Sequence, residues 1–270
     1  MPKTKVLITV KTYPTISSKY DELVCTAGFR EDGTWIRIYP LPFRRKPYQE
    51  QYKKYDWIEL DLVKNSSDFR PESYRPNSHE DPINIVGHLD TKSNWEERKK
   101  ICLGKIYYNL SELIAEAKDK NTCTSLAVFK PTVILDFTAE PTEKEWDKEK
   151  LARMNQLNLF ETDKQGKFNV VKKLPYKLKF HFKDNQGKES HLMIEDWETG
   201  QLYWNCLAKY EGNESKAIED VRKKYFNDFS KTKDLHFFLG TTQAHHFVSL
   251  NPFIIIGTFH PKIDLQTKLF

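Results

Sequence analysis

Residues 24–45 read VCTAGFREDGTWIRIYPLPFRR, and this stretch decides the fold of the first half of the chain. Two runs of strand-forming residues flank the tripeptide Glu-Asp-Gly at 31–33. Asp-Gly between apolar runs indicates a tight hairpin turn, because glycine adopts the positive φ that the turn requires. The stretch therefore predicts two antiparallel strands joined by a short turn.

The second strand of this hairpin has two chemically different faces. Strand alternation places Trp35, Arg37 and Tyr39 on one side. Ile36 and Ile38 fall on the opposite side, which a hydrophobic core would cover. We therefore predict a solvent-facing surface of aromatic and cationic side chains, which suits a phosphate backbone with bases to stack.

From this surface we predict a binding site for single-stranded DNA or RNA. Its residues share a cationic, aromatic or amide side chain and lie in the hairpin, in the segment 70–76 or in the loop after residue 241. The predicted nucleic-acid-binding residues are Arg30, Trp35, Arg37, Tyr39, Arg44, Arg45, Arg70, Arg75, Gln243, His245 and His246.

Two arginines of this set each precede a proline, in RPESYRP at 70–76. A following proline favours extended backbone, so both side chains are partly positioned in advance. A guanidinium fork matches phosphate oxygens. The alternative is that these arginines pin the loop to carboxylates elsewhere in the chain. The candidate partners for that role are Glu59, Asp61 and Asp90.

The 270-residue chain of 32.0 kDa can form one large domain or two ordinary ones. Its net charge of +5 is mild, but the positive charge is clustered. Residues 163–188 hold eight lysines and two aspartates, and residues 30–54 hold seven Lys or Arg against three acids. Such clusters attract polyanions, although solvated lysine faces are common in any soluble protein.

Four scattered cysteines, with no paired spacing, argue against a disulfide framework or a zinc ribbon. The opening residues contain no signal peptide, and the longest apolar stretch, 253–259, is far too short to span a membrane. We predict a soluble cytoplasmic protein with no membrane partner. We predict no metal and no cofactor.

Short strands and turns alternate with a few helices, which predicts an α+β, β-rich fold of two small OB-like barrels with intervening helices. The predicted organisation is a first barrel with a helical insertion (1–140), a helical and polar connector (141–175) and a second barrel with two inserted helices (176–270). The predicted helices begin near Ser93, Ser111, Trp146, Asp196 and Ser215. Ser93, Ser111 and Asp196 are the predicted capping residues.

Two Trp-acid motifs lie at helix starts. Trp95 is followed by acids and then by cations, which complements the helix dipole, and Trp197 lies between two acids. Packing between a helix and a barrel is the simpler interpretation of Trp95. A base-stacking platform is the alternative. For Asp196 and Glu198, helix capping is simpler than catalysis.

Several motifs together resemble the prokaryotic dual OB-containing domain family. They are LITVKTYP (7–14), VCTAG (24–28), WIRIYP (35–40) with PFR (42–44), YDWIE (55–59), RPESYRP (70–76), DTK (90–92) with WEER (95–98), and IEDWE (194–198). The resemblance covers most of the chain, and residues 140–175 contribute least to it.

The resemblance implies two OB-type barrels and a nucleic-acid-binding role, in the context of bacterial defence or repair systems. It implies no settled activity. Relatives can carry cysteines near the hairpin that precedes IEDWE. This chain has only His181 and His191 there, so we predict no metal at that hairpin.

Two other functions remain open from the sequence. The first is an enzyme acting on nucleic acid or a nucleotide, with His245 or His246 working beside Asp90, Glu96 or Asp196. The second is a protein-interaction subunit whose aromatic face docks a protein partner. Phosphate-binding loops, dinucleotide-binding turns, nucleophile elbows and zinc-protease helices are absent from the sequence. The sequence therefore favours a binding protein over an enzyme.

Overall fold

The computed structural model of the protein describes residues 3–17, 21–149, 151–152 and 170–264. Its strands are β1 (Thr4–Lys11), β2 (Thr15–Ser17), β3 (Asp21–Phe29), β4 (Trp35–Leu41), β5 (Asp56–Leu60), β6 (Leu62–Lys64), β7 (Ser73–Pro76), β8 (Asn84–His88), β9 (Ile106–Tyr107), β10 (Leu126–Phe129), β11 (Val133–Pro141), β12 (Tyr176–Lys183), β13 (Glu189–Met193), β14 (His236–Thr241) and β15 (Phe253–Phe259).

The helices are fewer. They are α1 (Lys92–Cys102), α2 (Leu110–Lys118), α3 (Trp197–Lys209) and α4 (Glu214–Arg222), which continues as a π-helical segment (Lys223–Phe229) and a last turn (Ser230–Thr232). Two short 3-10 turns, Phe43–Arg45 and Tyr48–Glu50, follow β4. The predicted α+β, β-rich class is confirmed. No helix among the described residues is long and apolar enough to cross a membrane.

The strands of the first half pair in a closed circuit. β1 pairs with β3, β3 with β4, and β4 runs parallel to β7. β7 then pairs with β6. β6 continues from β5 across the single residue Asp61, and β5 pairs back with β1. β8 pairs with β5 and forms an edge strand of this sheet.

The second half repeats this circuit. β11 pairs with β12, and β12 with β13. Ile194, next after β13, makes a parallel bridge to Ile255 of β15. β15 pairs with β14, and β14 with β10, which continues into β11 after residues 130–132. Helices α3 and α4 are inserted between β13 and β14. Each circuit thus contains four antiparallel contacts and one parallel contact.

Each circuit encloses its own hydrophobic core. Alternate residues of β1 and β4, among them Val6, Ile8, Ile36 and Ile38, form the first core. The second core is rich in phenylalanine and packs against α3 and α4. Its phenylalanines are Phe129, Phe137, Phe180, Phe182, Phe229, Phe237 and Phe253. The period-2 pattern therefore sorts the strand residues as the sequence predicted.

A third core joins the two halves. The outward-facing residues of the first circuit, including Leu7 and Phe29, pack against Val128, Phe238 and Ile256 of the second. These side chains are almost completely buried. The outer face of the first hairpin is therefore covered by the second half of the chain.

The strands were predicted more accurately than the caps. The strand that follows the hairpin is divided into β5 and β6, and the Ser-, Asn- and Pro-containing segment after it contains the short strand β7. Asn109, two residues before the predicted Ser111, caps α2 by accepting from two backbone amides. Asn213 caps α4 by accepting from one backbone amide, and the predicted helix start near Ser215 lies one residue after the observed start at Glu214.

Asp196 occupies the predicted N-cap position and Ser93 lies inside α1, but neither side chain makes a cap bond. Ser93 has φ of 48° and makes no side-chain cap bond, so no capping box forms there. Asp196 precedes α3 but makes no cap bond, because its carboxylate is engaged by a lysine of the first half. Of the predicted helix over 146–157, residues 148, 149, 151 and 152 are helical, and 150 and 153–157 lie outside the described residues.

Candidate nucleic-acid interface

The predicted face of the first hairpin exists, but it does not face solvent. The Trp35 ring centroid lies 3.9 Å from that of Phe29 and 5.6 Å from that of Phe238 in β14. Trp35 and Tyr39 are half-buried, and Arg37 is only 2% exposed. The predicted exposure of Arg37 to a phosphate backbone is therefore wrong, because the second half of the chain packs over it.

Arg37 is held by acceptors from both halves. Its Nη1 donates to the Ser125 hydroxyl at 2.8 Å, and its Nη2 donates to the backbone oxygens of Ser125 and Thr241 at 3.2 and 3.4 Å. The Ser125 hydroxyl donates in turn to Glu72 at 2.8 Å. These contacts make Arg37 a structural cation between the two halves.

Arg70 is also buried, at 5% exposure, so its predicted exposure to phosphate is wrong as well. Its Nη2 lies 2.5 Å from Oδ2 of Asp68, and its Nη1 donates to the backbone oxygen of Thr241. The pinning role that the sequence left open is the one observed. The partner is Asp68, rather than any of the three carboxylates considered from the sequence.

The remaining predicted residues are dispersed. Arg30 is half-buried, with its guanidinium 4.8 Å from the Tyr74 ring centroid, and Arg75 is exposed on β7. Arg44 and Arg45 lie on the 3-10 turn after β4 and are half-buried. The structure does not bring these arginines together into one surface.

The loop after β14 holds the last three predicted residues. Gln243 donates to the backbone oxygen of Ser67 at 2.6 Å, and His245 is exposed. His246 is completely buried: its Nδ1 accepts from the Thr241 hydroxyl at 2.8 Å, and its Nε2 donates to the Ala117 oxygen at 2.7 Å. Burial lowers the pKa of His246. His246 therefore fixes the loop and is not available to a ligand.

The carboxylates proposed for catalysis are engaged elsewhere. Asp90 pairs with Lys92, and Glu96 pairs with Lys100. Asp196 pairs with Lys54, which lies in the turn before β5. The convergence that an enzyme built on the His245–His246 loop requires is not formed. Within the described residues, no three His, Cys, Asp or Glu side chains are placed to hold a metal ion.

A different surface combines aromatic and cationic side chains: two neighbouring pockets along α3, which we name together the α3 groove. One part, of about 520 Å³, lies between the two halves beside the first turn of α3. The other, of about 490 Å³, lies beside its later turns, and Gln201 lines both. Its aromatic residues are Tyr13, Tyr55, Trp95, Trp197 and Trp204, and its Lys and Arg residues are Lys11, Arg44, Lys53, Lys54, Arg98 and Lys172.

The α3 groove carries more positive than negative charge. Against its six Lys and Arg residues, Glu198 is the one carboxylate among the described lining residues. Two histidines, His88 and His260, also line it. Of the residues predicted from the sequence, only Arg44 contributes to the groove.

A buried ion pair forms the floor of the groove. Lys54 Nζ lies 2.7 Å from Oδ1 of Asp196 and 3.0 Å from Oε2 of Glu198, and the Lys54 side chain is 5% exposed. Burial by itself lowers the pKa of Lys54, but the two carboxylates outweigh it and the net pKa is raised. Burial raises the pKa of Asp196 to about 6, against the opposing charge of Lys54.

Lys11 lies next to this pair at the end of β1. Its Nζ is 4.4 Å from the Phe43 ring centroid and 4.7 Å from the Trp197 ring centroid. Burial and the neighbouring Lys54 charge lower the pKa of Lys11 to about 8. Glu198, Asp196 and Asp56 act in the opposite direction and do not compensate.

Trp95 enters the groove from a strained turn. Ser93, Asn94 and Trp95 have φ of 48°, 53° and 66°, three consecutive left-handed residues without glycine. The Asn94 side-chain oxygen accepts from the Lys262 backbone amide at 2.7 Å, and its side-chain nitrogen donates to the Lys262 backbone oxygen at 3.0 Å. The Trp95 ring centroid lies 5.1 Å from that of Phe259. Backbone strain of this kind is concentrated at functional sites, which makes Trp95 a candidate contact residue.

Two motifs in the sequence contain residues of this groove. The WEER and IEDWE motifs contain Trp95 and Trp197, but their acids favoured helix capping as the interpretation. The contribution of Lys11 and Lys54 carried no signal, because each meets α3 only after the two halves have packed together.

Comparison with known proteins divides the chain into two adjacent domains. Residues 2–104 match the family model described as domain of unknown function DUF8758, and residues 108–270 match the one described as domain of unknown function DUF8757. No curated protein matches the chain. Among solved structures, a murine DNA binding protein bound with ds DNA is similar at a TM-score of 0.33 and 10% identity, with 98% of this chain and 97% of that chain covered.

The DUF8757 match spans more than half of the chain, and the DUF8758 match precedes it almost without a gap. These two matches indicate a two-domain protein. The chain therefore belongs to the DUF8757 family.

Proposed function

We propose that the protein binds single-stranded DNA or RNA in the α3 groove. One observation carries the proposal: among the described residues, five aromatic residues, six Lys or Arg residues and one carboxylate line this groove. Proteins that bind single strands combine a basic track for the phosphates with aromatic rings on which bases stack. Trp95, Trp197 and Trp204 supply the rings, and Arg44 and Lys172 extend the basic track along α3.

We propose further that each half is an OB-like barrel. An OB fold is a small five-stranded, partly open Greek-key barrel. The two closed pairing circuits, each enclosing a separate core, support this assignment. The predicted domain boundary at residue 140 stays a prediction. The pairing of β10 with β14 and of β11 with β12 favours placing both strands in the second barrel.

Among the residues predicted from the sequence, Arg44 is part of the proposed site because it lines the α3 groove. The roles of the exposed Arg75 and His245 stay predictions for a longer strand that leaves the groove. The defence or repair context implied by the family resemblance also stays a prediction.

Salt-dependent binding tests the proposal. A labelled oligothymidine of about 20 nucleotides is titrated with protein at increasing KCl, and binding is followed by fluorescence anisotropy. Three to six phosphate contacts predict a log–log slope of about −2 to −4, since each contact with a single strand contributes about −0.7. Absence of binding at low salt would contradict the proposal.

A charge-matched pair of variants locates the site. The triple variant Arg44→Gln, Lys53→Gln, Lys172→Gln removes three cations from the α3 groove and should reduce the slope by about 2. The control variant Lys120→Gln, Lys177→Gln, Lys231→Gln removes three exposed cations elsewhere and should leave the slope nearly unchanged. Equal losses in the two variants would show that binding depends on overall charge alone.

A second candidate function rests on an exposed apolar patch. Phe69 stacks on Phe247 with ring centroids 5.0 Å apart, and their exposed fractions are 49% and 41%. Val248 and Leu250 beside them are 81% and 96% exposed. Such a patch favours a protein contact. Sedimentation of the wild type and of Leu250→Asp at high concentration tests whether a second copy is that contact.

A further inference from the structure

Lys11 differs from the other lysines of the α3 groove in its surroundings. It lies at the end of β1 with its Nζ between two aromatic rings, Phe43 and Trp197. Its hydrogen bond is a long one, 3.4 Å, to the backbone oxygen of Tyr52. Among the described residues, no carboxylate forms an ion pair with it.

The nearest carboxylates are engaged by another lysine. Asp196 and Glu198 both contact Lys54 Nζ, at 2.7 and 3.0 Å. Lys11 therefore lies beside a buried cation, in a partly desolvated site, without a compensating anion of its own. A lysine in a desolvated site beside a second cation is a recognised form of amine nucleophile.

The charge state of Lys11 agrees with this geometry. With a pKa of about 8, a far larger fraction of the Lys11 side chains is neutral near neutral pH than for an unperturbed lysine. Only the neutral amine has a free electron pair. The part of the groove that Lys11 lines has a volume of about 520 Å³, which is large enough to admit a nucleotide-sized group.

We propose that the Lys11 amine captures aldehydes carried into the α3 groove by a nucleic acid, the aldehyde being that of an abasic deoxyribose in its open-chain form. This inference rests on the proposed function, since the nucleic acid delivers the aldehyde. It makes the groove a site for damaged strands as well as intact ones.

The reaction balances without an oxidant or a cofactor. The Lys11 nitrogen attacks the aldehyde carbon, and one amine hydrogen moves to the carbonyl oxygen to give a carbinolamine. The C–O bond then breaks, and the second amine hydrogen leaves with the hydroxyl group as water. The product is an imine between Lys11 and the sugar carbon, which borohydride reduces to a stable secondary amine.

Reductive trapping tests the inference. The protein is incubated with a single-stranded oligonucleotide containing one abasic site and with sodium cyanoborohydride, and the covalent complex is separated by denaturing gel electrophoresis. Binding of the same oligonucleotide is measured in parallel by anisotropy, and trapping is expressed per bound strand. An oligonucleotide with a tetrahydrofuran site, which has no aldehyde, serves as the ligand control.

We expect the wild type to be trapped and mass spectrometry to locate the adduct at Lys11. Lys11→Arg should reduce trapping per bound strand about tenfold or more, because a guanidinium is not deprotonated in proteins. Lys177→Arg, on an exposed lysine outside the groove, should retain full trapping. The tetrahydrofuran strand should bind without a covalent product.

The outcomes separate this inference from the proposed function. Binding without trapping, or an adduct mapped to other lysines, would overturn the inference and leave nucleic-acid binding intact. Absence of any binding would overturn both. Because the adduct is mapped in the wild type, the result does not depend on the folding of the Lys11 variant.

Discussion

Lys54 Nζ lies 2.7 Å from Oδ1 of Asp196, and this buried contact joins the first half of the chain to the N-terminus of α3. Lys54 lies in the turn that leads into β5, and Asp196 follows β13. Neither side chain is more than 5% exposed. The pair therefore stabilises both the floor of the α3 groove and the contact between the two halves.

Removal of Lys54 should destabilise the protein strongly. Lys54→Met leaves the Asp196 carboxylate buried without its cation, and loss of one member of a buried pair costs about 3–5 kcal/mol. Lys53→Met is the matched control, because Lys53 is exposed and its loss should change the free energy of unfolding by about 0.5 kcal/mol or less. Urea denaturation measures both. Equal stabilities of the two variants would contradict the assigned role of the pair.

A close approach of a helix to an aromatic ring gives a second prediction. A Cβ atom at Gly200 would lie 2.2 Å from Cδ2 of Tyr13, whose hydroxyl accepts from Trp204 Nε1 at 2.7 Å. Gly200→Ala should therefore lower the free energy of unfolding by about 1–3 kcal/mol, despite the higher helix propensity of alanine. At Gly104 a Cβ would meet nothing within 4 Å. Gly104→Ala should be neutral or slightly stabilising, and thermal denaturation compares the two.

The role of Arg37 gives a third prediction. Arg37→Met removes a buried cation together with its hydrogen bonds to the Ser125 hydroxyl and to the backbone oxygens of Ser125 and Thr241, which should cost about 2–4 kcal/mol. Arg75→Met removes an exposed arginine of β7 and should change stability by about 0.5 kcal/mol or less. Chemical denaturation of the two variants distinguishes a structural cation from a surface one. Equal stabilities of the Arg37→Met and Arg75→Met proteins would contradict the structural role of Arg37.

Local signals in the sequence predicted most strands and their faces. The Asp-Gly turn produces the β3–β4 hairpin, with Gly33 at φ of 79°, and alternation sends Ile36 and Ile38 into the first core. These features depend on residues that are neighbours in the chain. The caps were less predictable, because Asn109 and Ser111 are both good capping residues and local packing decides between them.

The candidate site could not be predicted for a physical reason. The outer face of the hairpin is polar enough to be exposed, but the second half covers it through Phe238 and Ser125. The α3 groove, in turn, needs Lys11, Lys54 and Trp197, which come from three distant segments. No local pattern records which distant segments meet, so a correct strand prediction was accompanied by an incorrect prediction of which face is exposed.

His260 provides a prediction about pH. Burial and the neighbouring Lys54 lower the pKa of His260 to about 4, from 6.5 in the unfolded chain. Since the folded protein binds fewer protons in this range, His260 contributes stability above pH 6.5, and this contribution is lost as the pH falls toward 4. Asp196 acts in the opposite sense: its pKa is raised to about 6, so its contribution is largest below about pH 4 and is lost as the pH rises to 6.

His260→Phe isolates the histidine contribution. The variant keeps the ring that stacks on Phe229, with centroids 3.7 Å apart in the wild type, but cannot titrate. Between pH 7 and pH 4.5 the wild type should lose about 1–3 kcal/mol more stability than the variant. Urea denaturation at both pH values gives the two differences. Parallel pH profiles would contradict the assignment.

Trp95 offers the most direct test of base stacking in the α3 groove. Its left-handed turn is fixed by Asn94, and the ring faces Tyr55 and Phe259 with centroid distances of 5.7 and 5.1 Å. If a base stacks on it, Trp95→Ala should weaken oligonucleotide binding by about 1–3 kcal/mol, or about 5- to 150-fold. The measurement is fluorescence anisotropy at constant salt, on protein whose folding has been checked by circular dichroism.

Trp57 supplies the matched control for this variant. It is also half-buried and packs in the core between the halves, but it does not line the groove. Trp57→Ala removes the same side chain at a comparable cost in packing, so it should lower stability and leave the affinity of the folded protein within about twofold, or about 0.4 kcal/mol. A similar loss of affinity in both variants would attribute the effect to general destabilisation. A loss confined to Trp95→Ala would place a base against the ring that the strained turn presents.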